Sequence, residues 1–284
     1  MSRAVTNFLL VAGLLAAFAA NAGEMRSRVV AGLKMPESVL VAPDGNIYVS
    51  EIGEFGKDGD GRVSILRDGK PVSFADGMND PKGLAYIGGA LYVADKTRIL
   101  KVGRDGKWKV FAAAEAFPVK PQFLNDLAAD RAGNLYVSDS GDLQGKGGAI
   151  YRVSPQGRIS ALVTAEIDKR VLAPNGLLLD GREHILMVDF LSGILYRITL
   201  KTGGMVSVAE GFGGGDGLVR DRKGVLWISD WKNGRVFSLK KDGEFNLVQA
   251  GYQAAADIDL SSDGKFILVP DMKAGELHWL ATGK

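Results

Sequence analysis

Asn125-Asp-Leu-Ala-Ala-Asp-Arg-Ala-Gly-Asn-Leu-Tyr-Val-Ser-Asp139 is the stretch from which the fold can be read. A few apolar residues lead into a turn that holds Gly133, and Leu135 to Asp139 then alternates apolar and polar. A period of two on either side of a glycine turn predicts a β-hairpin. The same grammar recurs in five other places: Glu37 to Glu51, Lys82 to Asp95, Asn175 to Asp189, Asp216 to Asp230 and Asp257 to Asp271. The first and last residues are 14 apart in five of the six hairpins and 13 apart in the second. Two more strand-like pieces follow each hairpin, as at Ala149 and Ile159 after the quoted one. Six units of four strands, starting 41 to 50 residues apart, predict an all-β, six-bladed β-propeller with four-stranded blades. The last unit is one strand short and ends with Glu276-Leu-His-Trp-Leu280. An unmatched apolar piece, Arg28-Val-Val-Ala-Gly-Leu33, precedes the first unit. It is expected to serve as the outer strand of the last blade and so close the ring.

The region before the repeat has a different character. Arg3, the apolar run from Phe8 to Ala20 and the small-x-small triplet Ala20-Asn21-Ala22 match a cleaved secretory signal. The expected organisation is a signal peptide over 1–22 and the propeller over 23–284. The mature protein is then periplasmic or secreted and keeps no stable membrane insertion. The 284 residues contain 35 Lys plus Arg against 33 Asp plus Glu, a net charge of +2, too small to steer the protein onto nucleic acid. With no Cys, disulfides, thiolate metal sites and Cys nucleophiles are excluded, and two His leave little for a histidine-rich metal cluster.

Aligning the repeats isolates one position per blade, at the start of each innermost strand: Glu37, Lys82, Asn125, Asn175, Asp216 and Asp257. Sixfold pseudosymmetry gathers these residues at one mouth of the central channel. Crowded carboxylates repel one another and lose hydration, so each raises the pKa of the others unless something neutralises them. A divalent cation would do so. Oxygen ligands of this kind suit Ca²⁺, which takes ~6–8 of them, with Mg²⁺, Mn²⁺ and Zn²⁺ as alternatives. The ring can also be satisfied by water and internal hydrogen bonds, with Lys82 paired to Glu37 or Asp257.

Pro36-Glu37-Ser38, Leu124-Asn125-Asp126, Pro174-Asn175-Gly176 and Gly215-Asp216-Gly217, in that order, resemble the senescence marker protein/gluconolactonase/luciferin-regenerating-enzyme family. The likeness extends more distantly to paraoxonases, diisopropylfluorophosphatases and strictosidine synthase-like proteins. It implies that Glu37, Asn125, Asn175 and Asp216 hold a catalytic divalent metal, most often Ca²⁺, in an enzyme that hydrolyses lactones or organophosphate esters. Asp216, a carboxylate beside the metal, becomes the candidate general base or nucleophile, and Lys82 and Asp257 the candidate substrate-binding residues. The chain departs from the family pattern in three places. Lys82 brings a positive charge to the ring. Gln122 and Phe123 stand where sugar lactonases carry an Arg. A paraoxonase-type His pair is absent, and His184 and His278 are read as structural. The expected partner is a small-molecule substrate. A non-catalytic binding propeller and a strictosidine synthase-like lyase or synthase remain the alternatives.

Several motifs are read as structural. Gly213-Gly-Gly-Asp-Gly217 is a loop entering a strand, and Asp58-Gly-Asp-Gly61 lacks the further ligands of a calcium loop. Tyr48, Tyr92, Tyr136 and Trp227 repeat at one blade position as inter-blade core.

Overall fold

Each of the first five hairpins and the two strands after it form one antiparallel four-stranded sheet in the computed structural model, which describes residues 28–241 and 243–283; the sixth hairpin does so with one following strand and one from the start of the described chain. The expected signal peptide over 1–22 lies outside the described residues. Six such sheets surround a channel lined by the innermost strands Pro36–Val41, Pro81–Ile87, Leu124–Ala129, Pro174–Asp180, Gly215–Arg220 and Asp259–Leu260. This is the six-bladed β-propeller that the repeat predicts. The blades are numbered one to six in chain order.

Apolar residues on both faces of every blade pack against the next blade, so the core is divided into six inter-blade layers. Tyr48, Tyr92, Tyr136 and Trp227 are all buried in these layers. The outer strand of blade six is Val29–Ala31, paired antiparallel with Glu276–Ala281 and with Val30 opposite Leu277. The expected closure is present. Its paired part is shorter than the segment from Arg28 to Leu33, because the chain turns at Gly32 with φ of 86°. Leu33 still donates its N–H to the Gly275 carbonyl. The ring closes at the axis as well, where the Asp257 N–H donates to the Glu37 carbonyl at 2.9 Å.

Two features of the inner strands position the site. The register shifts just inside each of the first five inner strands, for example between Leu124 and Leu127. A bulge frees one or two residues from the ladder and re-aims their side chains; here it frees Glu37, Lys82, Asn125, Asn175 and Asp216. Serines of the second strand take up some of the released N–H groups: Ser50 accepts from Ser38, Ser138 from Asp126 and Ser229 from Gly217. The repeated carboxylate at the end of the hairpin clasps the loop that enters the inner strand. Asp139 accepts from the N–H groups of Gln122 and Phe123, Asp189 from Leu172 and Ala173, Asp95 from Asn79 and Asp80, and Asp271 from Gln253 and Ala254. Each clasp fixes the chain just before the residue that reaches the channel mouth.

Candidate active site

Glu37, Lys82, Asn125, Asn175 and Asp216 form the polar floor of a pocket of about 320 Å³ at one end of the channel. All five are buried, none more than 5% exposed. Asp257 is not among them. Blade six has a six-residue turn, closed by the Ser261 N–H bonding to the Phe266 carbonyl, where blade one uses five residues from Ala42 to Asn46. Counting 14 residues back from Asp271 therefore lands one residue too far along the inner strand. Ala255 pairs with Asp271 as Pro36 pairs with Glu51, so the sixth floor position is Ala256. Asp257 lies at the level of Ser38, whose hydroxyl donates to its Oδ2 at 2.6 Å. The expectation that Asp257 lines the pocket is corrected: it belongs to the next layer down the channel, near Asp126. Inner strands touch backbone to backbone in that layer. A Cβ on Gly176 would fall 1.8 Å from the Asp216 carbonyl oxygen, so this position needs glycine.

With Ala256 in the ring, the floor carries two carboxylates and one ammonium. Burial first, and then the neighbouring Asp216, hold the Glu37 carboxyl well above the usual carboxylate range; Lys82 opposes this in part. Burial first, and then Asp126 and Asp230, do the same to Asp216, while a hydrogen bond from Asn175 pulls the other way. Burial lowers Lys82 below the usual lysine range, against the pull of Glu37 and Asp80. The Lys82 ammonium donates to the Asp80 carbonyl at 3.1 Å and sits 4.1 Å from the centre of the Phe123 ring. Phe123, just before Asn125, thus helps to hold the one cation of the floor.

The donor set can be tested against a metal. Three buried oxygens of the floor have no hydrogen-bond partner: Glu37 Oε2, Asn175 Oδ1 and Asp216 Oδ1. A buried acceptor left without a donor costs about 1–3 kcal/mol, and three at one floor call for a common partner. Asn125 fits the same pattern, since its Nδ2 donates to Ser140 Oγ at 3.1 Å and its amide oxygen is left for another partner. Ser140 in turn donates to the Pro174 carbonyl, tying Asn125 to the chain beside Asn175. Oxygen atoms of two carboxylates and two carboxamides are the donors a hard divalent cation takes, and they leave positions for water or substrate. Among the described residues no three His, Cys, Asp or Glu side chains gather in a metal-like group. The carboxamides complete this set.

Above the floor the wall is apolar. Ile52, Phe190, Trp231 and Met272 stand around it, with Phe55 and Leu143 at the rim. Four of these six share one sequence position, the residue directly after the carboxylate that closes the hairpin: Ile52 after Glu51, Phe190 after Asp189, Trp231 after Asp230 and Met272 after Asp271. Ser140 occupies that position in blade three. These wall residues lie just past the end of the second strand of their blades. Leu143 belongs to the long loop that follows Ser140, so that loop does reach the mouth. His184 at the head of a strand and His278 beside Glu276 are both remote from the pocket.

The sequence profile of the SMP-30/Gluconolactonase/LRE-like region matches residues 77–256. The chain belongs to this family. The match includes Lys82, Asn125, Asn175 and Asp216; Glu37 precedes it. In fold the chain is similar to a calcium-binding regucalcin from Agrobacterium tumefaciens, with a TM-score of 0.69 at 20% identity, over 89% of this chain and 92% of that one. The fold also matches a virginiamycin B lyase from Staphylococcus aureus, with a TM-score of 0.63 at 14% identity over 91% and 99% of the two chains. In sequence the chain is 25% identical over 305 positions to the Arabidopsis thaliana protein strictosidine synthase-like 3, covering 85% of this chain and 75% of that protein.

Proposed function

We propose that this protein is an exported hydrolase of lactones or related esters that depends on a divalent metal, with Ca²⁺ the expected ion. The observation that carries the reading is the trio of unpartnered oxygens on Glu37, Asn175 and Asp216 at the floor of the pocket. Together with Asn125 these residues would hold the ion. When bound, such an ion polarises a carbonyl or phosphoryl oxygen and stabilises the charge that develops on it. Asp216, on the floor of the pocket with its Oδ1 unpartnered, would accept a proton from the attacking water. Asn175, beside Asp216, favours the ionised form of that carboxylate. Lys82 has one N–H on the Asp80 carbonyl, and its remaining donors would be available to a substrate oxygen in the pocket. The enclosing side chains limit the access of bulk water to the attacking molecule.

The test is to strip the protein of metal and reload it with Ca²⁺, Mg²⁺, Mn²⁺ or Zn²⁺, then assay a panel of lactones and aryl esters. Metal-dependent turnover that is lost in Asp216→Asn is the expected result. Metal binding with no hydrolysis of any member would defeat the hydrolase reading. The apolar wall and the missing Arg favour a second reading, a lyase or synthase. Incorporation of ¹⁸O from labelled water into the product separates the two, because only hydrolysis introduces it.

A further inference from the structure

We infer that the substrate of this pocket carries an apolar acyl or aryl tail beside its carbonyl group, and that polyol lactones are rejected. The inference rests on the hydrolase reading for the carbonyl and on the pocket wall for the tail. The indole N–H of Trp231 is the one polar hydrogen on the side chains of that wall, and it is committed to the Met272 sulfur at 3.2 Å. The ring is held in place by Phe190, with centroids 6.1 Å apart, and by the Lys273 ammonium 4.3 Å from its centre. Gln122, the polar residue nearest in sequence to the missing Arg, does not line the pocket; its Nε2 lies against Gly147.

A sugar lactone presents a hydroxyl on nearly every carbon. Each hydroxyl desolvated against this wall without a partner weakens binding, whereas each methylene buried there strengthens it. The lip supports the same reading. Phe55 is 48% exposed and Leu143 is 38% exposed, and both line the pocket from loops at its mouth. Single exposed apolar residues are ordinary on a surface. Two that line the same apolar pocket extend its apolar lining outward, so the tail runs from the floor past Trp231 to the rim.

Two measurements test this. The first is the hydrolysis of γ-butyrolactone, γ-hexalactone, γ-octalactone, γ-decalactone and gluconolactone by the Ca²⁺-loaded enzyme. The second is the binding of 2-alkylcyclopentanones, which cannot be hydrolysed, followed by tryptophan fluorescence with Trp231→Phe as the control for the signal. Affinity and kcat/KM are expected to rise about fourfold per methylene until the wall is filled, from about 0.8 kcal/mol per buried CH₂. Gluconolactone should be the poorest member. Phe55→Ser and Leu143→Asn should flatten the dependence for the longest tails; Asn suits the φ of 58° at position 143. Ketone affinity independent of tail length, or a preference for gluconolactone, would overturn the inference. Ketone binding that strengthens with tail length while no lactone is hydrolysed would uphold the tail site and remove the hydrolase reading instead.

Discussion

Deleting residues 28–33 should leave a propeller that unfolds at a much lower temperature. The segment contributes two buried apolar side chains, Val30 at 5% exposure and Leu33 at 6%, both packed between blades six and one. At about 1.5–3 kcal/mol for each fully buried side chain, their loss amounts to about 3–6 kcal/mol. A chain of this size shifts its Tm by about 2–4 °C per kcal/mol, so the expected fall is roughly 6–24 °C. The Arg28 guanidinium, 4.4 Å from the centre of the Trp279 ring, and the Trp279 N–H on the Arg28 carbonyl would also be lost. The damage should reach the pocket. Lys34 and Met35 directly follow the deleted residues and pin one part of the wall, since Lys34 donates its N–H to Glu51 and the Met35 carbonyl accepts from Ile52. Calorimetric scans of the full chain and the deletion variant in EDTA measure the effect without metal linkage. A midpoint within a degree or two of the full chain would show that the last blade does not depend on this strand.

Three further outcomes are expected. Glu37 and Asp216 keep their protons to a higher pH in the folded protein than in the unfolded chain, so the folded state binds more protons above the ordinary carboxylate range. Metal-free protein should therefore lose stability as pH rises above about 4 through the raised folded values, and Ca²⁺ should reverse that loss while binding more weakly as pH falls; thermal melts across pH with and without Ca²⁺ check both slopes. Lys82→Met removes a positive charge from the floor and should tighten Ca²⁺ binding by calorimetry, while raising KM for substrates with an anionic group; weaker Ca²⁺ binding would assign Lys82 a role in holding the site together. Asp139→Ala strips the acceptor from the N–H groups of Gln122, Phe123 and Gly141 and should cost about 1–3 kcal/mol or more in denaturant unfolding, with a loss of Ca²⁺ affinity because Asn125 follows the released loop.

The blade count, the strand pairing and the closing strand were legible because they follow from a period-two pattern and a repeat that a one-residue change cannot disguise. The register of a single position was not so protected. The turn of blade six gained a residue, the count from Asp271 slipped, and Asp257 took the place that belongs to Ala256. The neighbouring pattern held the correction: Pro36, Pro81, Leu124, Pro174, Gly215 and Ala255 precede the floor residues, and a small or turn-capable residue follows them. The bulges could not be read, since nothing in Asn125-Asp126 distinguishes a bulged pair from a regular one. The wall was missed because its residues lie in loops, directly after the carboxylate that closes each hairpin. That carboxylate was visible in every repeat, but its work of clasping backbone N–H groups depends on a loop path that only the folded chain defines.

Isothermal titration of metal-stripped protein with Ca²⁺, alongside Glu37→Gln, Asn175→Ala, Asp216→Asn and Asp257→Asn, addresses the metal centre most directly. One Ca²⁺ per chain is expected for the wild type, with a gain of about 2.7 kcal/mol in stability at a hundredfold excess over Kd. The three floor variants should bind more weakly, and Asp257→Asn should keep the site. If wild-type protein binds none of Ca²⁺, Mg²⁺, Mn²⁺ and Zn²⁺ at millimolar concentration, or if only Asp257→Asn abolishes binding, the assignment of the metal to Glu37, Asn125, Asn175 and Asp216 is contradicted.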